Sequence, residues 1–252
     1  MKSTSVKTKK NIILLIFFLV FSIPAFSAAK GLKNIFENPK KTPLKGPLFL
    51  EIPKIINKNL QKICPNCKCL FFVTYPQLNF LSNNKVQKSI NDNLKKEFSA
   101  YKNVKCEDFF KNDSYQENTK YEIKLNEKGI LSIYYFSTGF LKESAHPNSV
   151  IDSFNYSLKT GKKINKNNLF LQDDESNEKI IDLINISLNK QKIDLEFEPE
   201  NYKFDFYLTS TKIVFINLFE VHAAQGIEAP INYSEIKSIL AKNSPLMELL
   251  KK

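Results

Sequence analysis

The chain has 252 residues and a formal net charge of +11, and all 37 of its basic residues are lysine. Without arginine it lacks the planar guanidinium forks that read guanine and phosphate geometry, which weighs against nucleic-acid recognition. Only His146 and His222 are available as histidine acid/base groups, and no Gly-x-Ser-x-Gly, P-loop or His-Glu-x-x-His motif is present. Catalysis is therefore not expected, and a hydrolase using His146 and nearby carboxylates is the minority alternative.

Residues 1–29 read as an export signal. Lys2, Lys7, Lys9 and Lys10 precede an apolar run from Ile12 to Ile23, broken by Pro24 and followed by Ala25, Ser27, Ala28 and Ala29. The run is shorter than the roughly 20 residues a membrane span needs, and the small residues suit cleavage. A periplasmic or secreted protein with no stable span after cleavage is therefore expected. Setting aside the four signal lysines leaves +7 on residues 30–252.

Residues 30–46, rich in Lys, Pro and Asn with little periodicity, are expected to be a flexible lead-in. A strand is expected over Leu48–Ile52, closed by Pro53, and another over Leu70–Tyr75. Asn83 or Asn84 then caps a helix whose apolar stripe is Val86, Ile90, Leu94, Phe98 and Tyr101. The four cysteines, Cys64, Cys67, Cys69 and Cys106, lie in this stretch, and in an exported protein two disulfides are the default. Of the three possible pairings, Cys64–Cys67 with Cys69–Cys106 is favoured and Cys64–Cys69 with Cys67–Cys106 comes second. A Cys67–Cys69 bridge is disfavoured as too short. A redox Cys-x-x-Cys or a zinc site is the minority alternative.

From residue 119 the pattern turns to strands. Tyr121, Ile123 and Leu125 alternate, Asn126–Gly129 turns, and Leu131, Ile133 and Tyr135 alternate again, which spells a hairpin. A loop holds Glu143, His146, Pro147 and Asn148. Pro147 pushes His146 toward extended geometry, and Asn148 tolerates left-handed backbone. Phe154, Tyr156 and Leu158 give the next strand, turned by Lys159–Lys162. Asp173, Asp174, Glu175 and Glu178 precede a helix with Ile180, Leu183, Ile184 and Leu188, where acids favour the start. Tyr202 to Leu208 alternate, Ile213–Phe219 reads as a buried central strand, and Asn232 with Glu235 caps a final helix carrying Ile236, Ile239 and Leu240. The fold class is α+β, with antiparallel sheets and helices packed on one face, in two subdomains over 47–118 and 119–252.

Three segments carry a resemblance. Thr74-Tyr-Pro-Gln-Leu78 precedes Val86-Gln-Lys-Ser-Ile-Asn91. Ser144-Ala-His-Pro-Asn148 precedes Phe154-Asn-Tyr-Ser-Leu-Lys-Thr-Gly-Lys162 and Asn168-Leu-Phe170. Gly226 leads into Ile231-Asn-Tyr-Ser-Glu-Ile236. This layout resembles the extracytoplasmic family of the anti-sigma factor RsiV and the non-catalytic region of the polysaccharide deacetylase PdaC. The resemblance implies a C-terminal part comparable to a small lobe of the Hsp70 ATPase fold, without nucleotide chemistry. It also implies a binding role without cofactor: a lysozyme-like protein partner, or a cell-wall glycan. On that reading His146, Pro147, Asn148 and Glu143 form a binding loop. The acids of Asp173–Glu178, Asp173 and Asp174 first, with Glu196, Glu198 and Glu200, supply an acidic patch for a basic partner. Glu143, His146 and Asp152 do not make a convincing metal set, and no metal is expected. The chain departs from the family pattern in its clustered cysteines and in His222.

Overall fold

A computed structural model describes residues 52–99, 105–108, 114–198, 204–220 and 224–250. The strand expected over 48–52, Tyr101, Tyr202, Glu200 and His222 lie wholly or mostly outside these ranges.

The first element is a hairpin that the sequence reading missed: β1 (Lys54–Cys64) pairs antiparallel with β2 (Cys69–Asn79) through eleven registered residues, Lys54↔Asn79 to Cys64↔Cys69. β1 carries little apolar periodicity because it is an outer strand, and its lysines 54, 58 and 62 recur every four residues along that edge. Charged edge residues of this kind discourage pairing with other chains. Helix α1 (Asn84–Glu97) follows, with the Asn83 side chain accepting from the amides of Lys85 and Val86. Val86, Ile90, Leu94 and Phe98 are buried, as their spacing predicts.

The chain then returns as β3 (Tyr115–Glu127), which lies parallel to β2 over Leu70–Val73 and Gln116–Thr119. Uniformly antiparallel sheets were expected. The parallel pair arises because α1 carries the chain back across the sheet, as a β–α–β crossover must. β4 (Ile130–Leu141) and β5 (Asn148–Ser157) complete a sheet of order β1-β2-β3-β4-β5. The two-residue turn Lys128-Gly129 has positive φ at both positions (47° and 76°), the geometry a tight hairpin needs.

After α2 (Lys166–Leu169) and α3 (Asp174–Lys190), strands β6 (Asp205–Leu208), β7 (Lys212–Ile216) and β8 (Ala229–Asn232) form a second, antiparallel sheet with β7 central. The expected final helix is only the turn α4 (Tyr233–Ile236), continuing as a 3-10 turn over Lys237–Ile239, before a last turn α5 (Met247–Leu250). Asn232 still receives the predicted support, its amide donating to Glu235 Oε2 at 3.0 Å. The helix stops because Leu240 bridges to Phe170 and the Ala241 amide donates to the Leu169 carbonyl, so this backbone is committed sideways.

One face of the five-stranded sheet buries Phe71, Val73, Leu131, Ile133, Phe154 and Tyr156 with α1. Over β4 and β5 the other face is buried too. There Ser132, Ser153 and Asn155 meet the free edge of β6. The Ser132 hydroxyl donates to Asn155 Oδ1 (2.6 Å) and accepts from the Leu208 amide (2.8 Å). Asn155 Nδ2 and the Ser153 hydroxyl both donate to the Phe206 carbonyl, at 2.7 and 2.5 Å. Beyond this clasp lies a larger core of Leu125, Ile130, Ile184, Leu208, Phe215 and Ile236 among others.

The disulfides are Cys64–Cys106 and Cys67–Cys69, which corrects the sequence-based pairing. Cys64 and Cys69 are cross-strand partners, so both side chains project to the face on which α1 packs, and Cys106 arrives there after the helix. The four-residue connection curls Cys67 back until its Cα lies 5.3 Å from that of Cys69, within ordinary disulfide reach.

Asn155→Ala removes a donor and an acceptor from the buried clasp and is expected to lower unfolding free energy by about 2 kcal/mol in urea titrations. Gln116→Ala, at an exposed position of the same sheet, should change it by less than about 0.5 kcal/mol. Equal effects would show that the clasp contributes nothing.

Candidate functional sites

Two surfaces stand out, at opposite ends of β4 and β5. The first is the loop 142–147. Glu143 takes a left-handed backbone (φ 75°), and the Ser144 hydroxyl donates to the carbonyls of Leu141 (2.7 Å) and His146 (3.2 Å). The His146 Nδ1 lies 3.4 Å from the Pro147 carbonyl. Glu143, His146, Pro147 and Asn148 are all exposed, and Asn148 opens β5 opposite Gly139. Apolar side chains flank them, with Phe140 47 %, Leu141 39 % and Val150 55 % exposed.

Next to this loop a polar group has formed on the α1 face. Glu117 lies in register with Gly139, and its carboxylate accepts from the Ser137 hydroxyl (2.8 Å) and the Tyr115 hydroxyl (3.1 Å). The Tyr115 ring crosses Gly139 so closely that a Cβ there would sit 2.0 Å from its hydroxyl oxygen. Burial, with the Glu117 carboxylate beside it, pushes the Tyr115 hydroxyl up to about 12. Farther along β5, burial raises the Asp152 carboxyl, aided by Asp205 and Glu97 and opposed by the Ser153 amide and Lys163. Asp152 therefore belongs to the sheet, while Glu143 and His146 project from an exposed turn. Among the described residues no cluster of His, Cys, Asp and Glu could hold a metal ion.

Asp173 and Asp174 lie elsewhere, at the start of α3. Asp173 is its N-cap, accepting from the Ser176 amide at 2.7 Å, and Ser176 holds its carboxyl below the usual range. Glu196 and Glu198 flank the buried Phe197, whose amide donates to Asn185 Oδ1 at 2.7 Å. Helix capping and chain exit thus account for the placement of these acids.

The second surface is a cleft of about 690 Å³ at the Ile130 and Ser157 end of the hairpin. Its walls come from three turns. Lys128-Gly129 is fixed by the Leu158 amide donating to the Gly129 carbonyl at 2.8 Å. Lys159-Thr-Gly-Lys162 is closed by Gly161, at φ 73°, donating to the Ser157 carbonyl at 2.7 Å. The third wall is the C-terminal stretch 241–248, held against α2 through the Phe170–Leu240 bridge. Lys128, Lys159, Lys162 and Lys163 line it, with Asn167 and Asn243 among the polar groups, Ile130, Ile164 and Pro245 as apolar floor, and Glu248 its one acid. Lys163 is partly engaged with Glu97 at 3.2 Å, whereas Lys159 and Lys162 are exposed and form no ion pair among the described residues. The Ser244 hydroxyl behind the wall is buried without a hydrogen-bond partner. The sequence marked one wall, the Lys-Thr-Gly-Lys turn. It could not mark Asn243 and Ser244, which follow no periodic pattern and reach the cleft only through the bridge to Phe170.

No protein-family model and no curated protein matches the sequence. Solved structures do. The chain is similar to a DUF3298-family protein of Bacteroides fragilis, with a TM-score of 0.59 at 15% identity over 81% of this chain and 99% of that one. It is also similar to a DUF3298-family protein of Pseudomonas aeruginosa, with a TM-score of 0.59 at 12% identity over 77% and 97% of the two chains. Identity this low establishes a shared α+β fold and leaves function open, and neither name links the chain to RsiV or PdaC.

Asp152→Asn should raise the melting temperature at pH 7. A carboxyl whose folded value is raised favours the native state only while protonated, so ionised Asp152 opposes folding at neutral pH. Below its ordinary value of 3.8 the carboxyl is protonated in both states, and the gain should vanish. A gain that persists in acid would assign the effect to packing.

Proposed function

We propose that this protein is an exported, non-catalytic binding protein whose ligand is an anionic cell-wall glycan held in the lysine-lined cleft. The observation that carries this reading is the pair Lys159 and Lys162, exposed and without ion pairs among the described residues at the rim of a concave site. Ammonium groups on long stems meet carboxylate or phosphate at variable spacing, as a heterogeneous polymer requires. The amides of Asn167 and Asn243 suit sugar hydroxyls, and the floor of Ile130, Ile164 and Pro245 suits the C–H face of a sugar ring. The disulfides accord with an oxidising compartment, and among the described residues no helix is long and apolar enough to cross a membrane.

A second reading rests on the other end of the hairpin. Phe140, Leu141 and Val150, exposed around Glu143 and His146, suit a protein partner such as a c-type lysozyme, in keeping with the RsiV-like motif there. The acids of α3 add little to this reading, since Asp173 already serves its own helix.

Calorimetric titration with soluble peptidoglycan fragments bearing free carboxylates distinguishes the two. Binding should weaken with salt, and Lys159→Ala/Lys162→Ala should reduce affinity at least about tenfold. His146→Ala should leave it unchanged. Salt-independent binding, or full affinity in the double variant, would remove the cleft from consideration. Tight binding of lysozyme that is lost on Phe140→Ser would move the function to the loop.

A further inference from the structure

All four cysteines converge on the closed end of the β1–β2 hairpin. Cys64 and Cys69 face each other across the strands and are buried at 1 % and 0 % exposure. Cys64 is bonded to Cys106, at a sequence separation of 42, so that bond ties the hairpin to the segment beyond α1. Cys69 is bonded to Cys67, at a separation of 2, and that bond ties the turn only to itself. Cross-linking stabilises a fold by restricting the unfolded chain, and the effect scales with loop length to about the three-halves power. Losing the short bond therefore costs the folded state less than losing the long one, by on the order of fifty- to a hundredfold in the unfolding equilibrium. The hairpin does not need the short bond, since its strands are already held by their registered pairs. Cys67 is half-buried in a turn whose Pro65, Asn66 and Lys68 are exposed, so a small thiol can approach its sulfur.

We propose that Cys67–Cys69 is a thiol–disulfide exchange site and that the four cysteines form a relay whose substrates are small thiols. The thiolate of a low-molecular-weight thiol attacks Cys67 Sγ, the Cys67–Cys69 bond breaks, and its electron pair leaves on Cys69. A second thiol molecule releases the first from Cys67 as a symmetric disulfide and leaves Cys67 as the thiol. Two electrons pass from the thiols to the protein. The Cys69 thiolate stands across the strand pair from Cys64. Attack on Cys64 Sγ forms Cys64–Cys69 and expels Cys106 as a thiolate, with no further change in oxidation state. The long clip is thereby opened by an internal exchange, and the segment after α1 is released from the hairpin.

The test uses the whole chain in glutathione buffers of graded reduced-to-oxidised ratio, trapped with a maleimide and mapped by peptide mass spectrometry. As the ratio rises, labels should appear on Cys67 and Cys69 at a lower ratio than is needed to label all four. A Cys64–Cys69 cross-linked peptide with labelled Cys106 should accompany them. In Cys67→Ser, where Cys69 starts as a free thiol, part of the label should reach Cys106 with no thiol added. Simultaneous labelling of all four cysteines, or earlier labelling of Cys64 and Cys106, would overturn the exchange site. Label confined to Cys69 in Cys67→Ser, with no Cys64–Cys69 peptide from the wild-type chain, would overturn the relay. The wild-type measurement stands whether or not the variant folds.

Discussion

The structure depends on how the free edge of β6 is satisfied. A strand edge buried against another sheet presents amides and carbonyls that would each cost about 1–3 kcal/mol if left unpaired. Among the described residues no strand completes β6 on that side. Three side chains do so, with Ser132, Ser153 and Asn155 holding the Phe206 carbonyl and the Leu208 amide in a fully satisfied group. This contact sets the second sheet against β4 and β5. Ile130 and Leu125 then join the larger core and the C-terminal turns come near the Lys-Thr-Gly-Lys turn. The cleft is a by-product of that seating.

The hairpin of β4 and β5 also separates two chemistries by roughly 35 Å, the rise of about eleven strand residues. At the Ile130 end, turns gather lysines and amides around an apolar floor, with Glu248 the only acid. At the Leu141 end, an exposed loop with apolar flanks shares its end of the sheet with the cysteine-bearing turn, since Leu70, Gln116 and Phe140 lie in one row. A polymer ligand and a protein partner make different demands on a surface, and each end meets one of them.

Much of this was legible in local pattern. The stripe on α1, the Asn83 cap, the Lys128-Gly129 turn and the central position of β7 follow from period, cap and turn chemistry, which need only near neighbours. Other features escaped for the converse reason, the parallel β2–β3 pair among them. β1 is an outer strand with only Ile55, Leu60 and Cys64 packed on the core, so its sequence lacks the regular alternation that marks a strand. The final helix stops early because backbone groups of residues 239–241 bond to residues 169–171, far away in sequence. The disulfide pairing depends on where Cys106 arrives after α1 and on how the four-residue turn places Cys67, neither of which local pattern records.

By itself, the sequence determined an α+β chain with four cysteines suited to oxidising surroundings, one helix packed on strands, and a strand–loop–strand unit around His146 ending in Lys-Thr-Gly-Lys. Tertiary structure alone decided that the solvent-patterned side of that unit is buried. Ser132 and Asn155 sit between Leu131, Ile133, Phe154 and Tyr156, and by alternation they belong outside. A second sheet covers them, and a polar side chain is stable in a core once every donor and acceptor finds a partner. Alternation records which face is apolar; it cannot record that a neighbouring backbone will arrive to pair with the polar one.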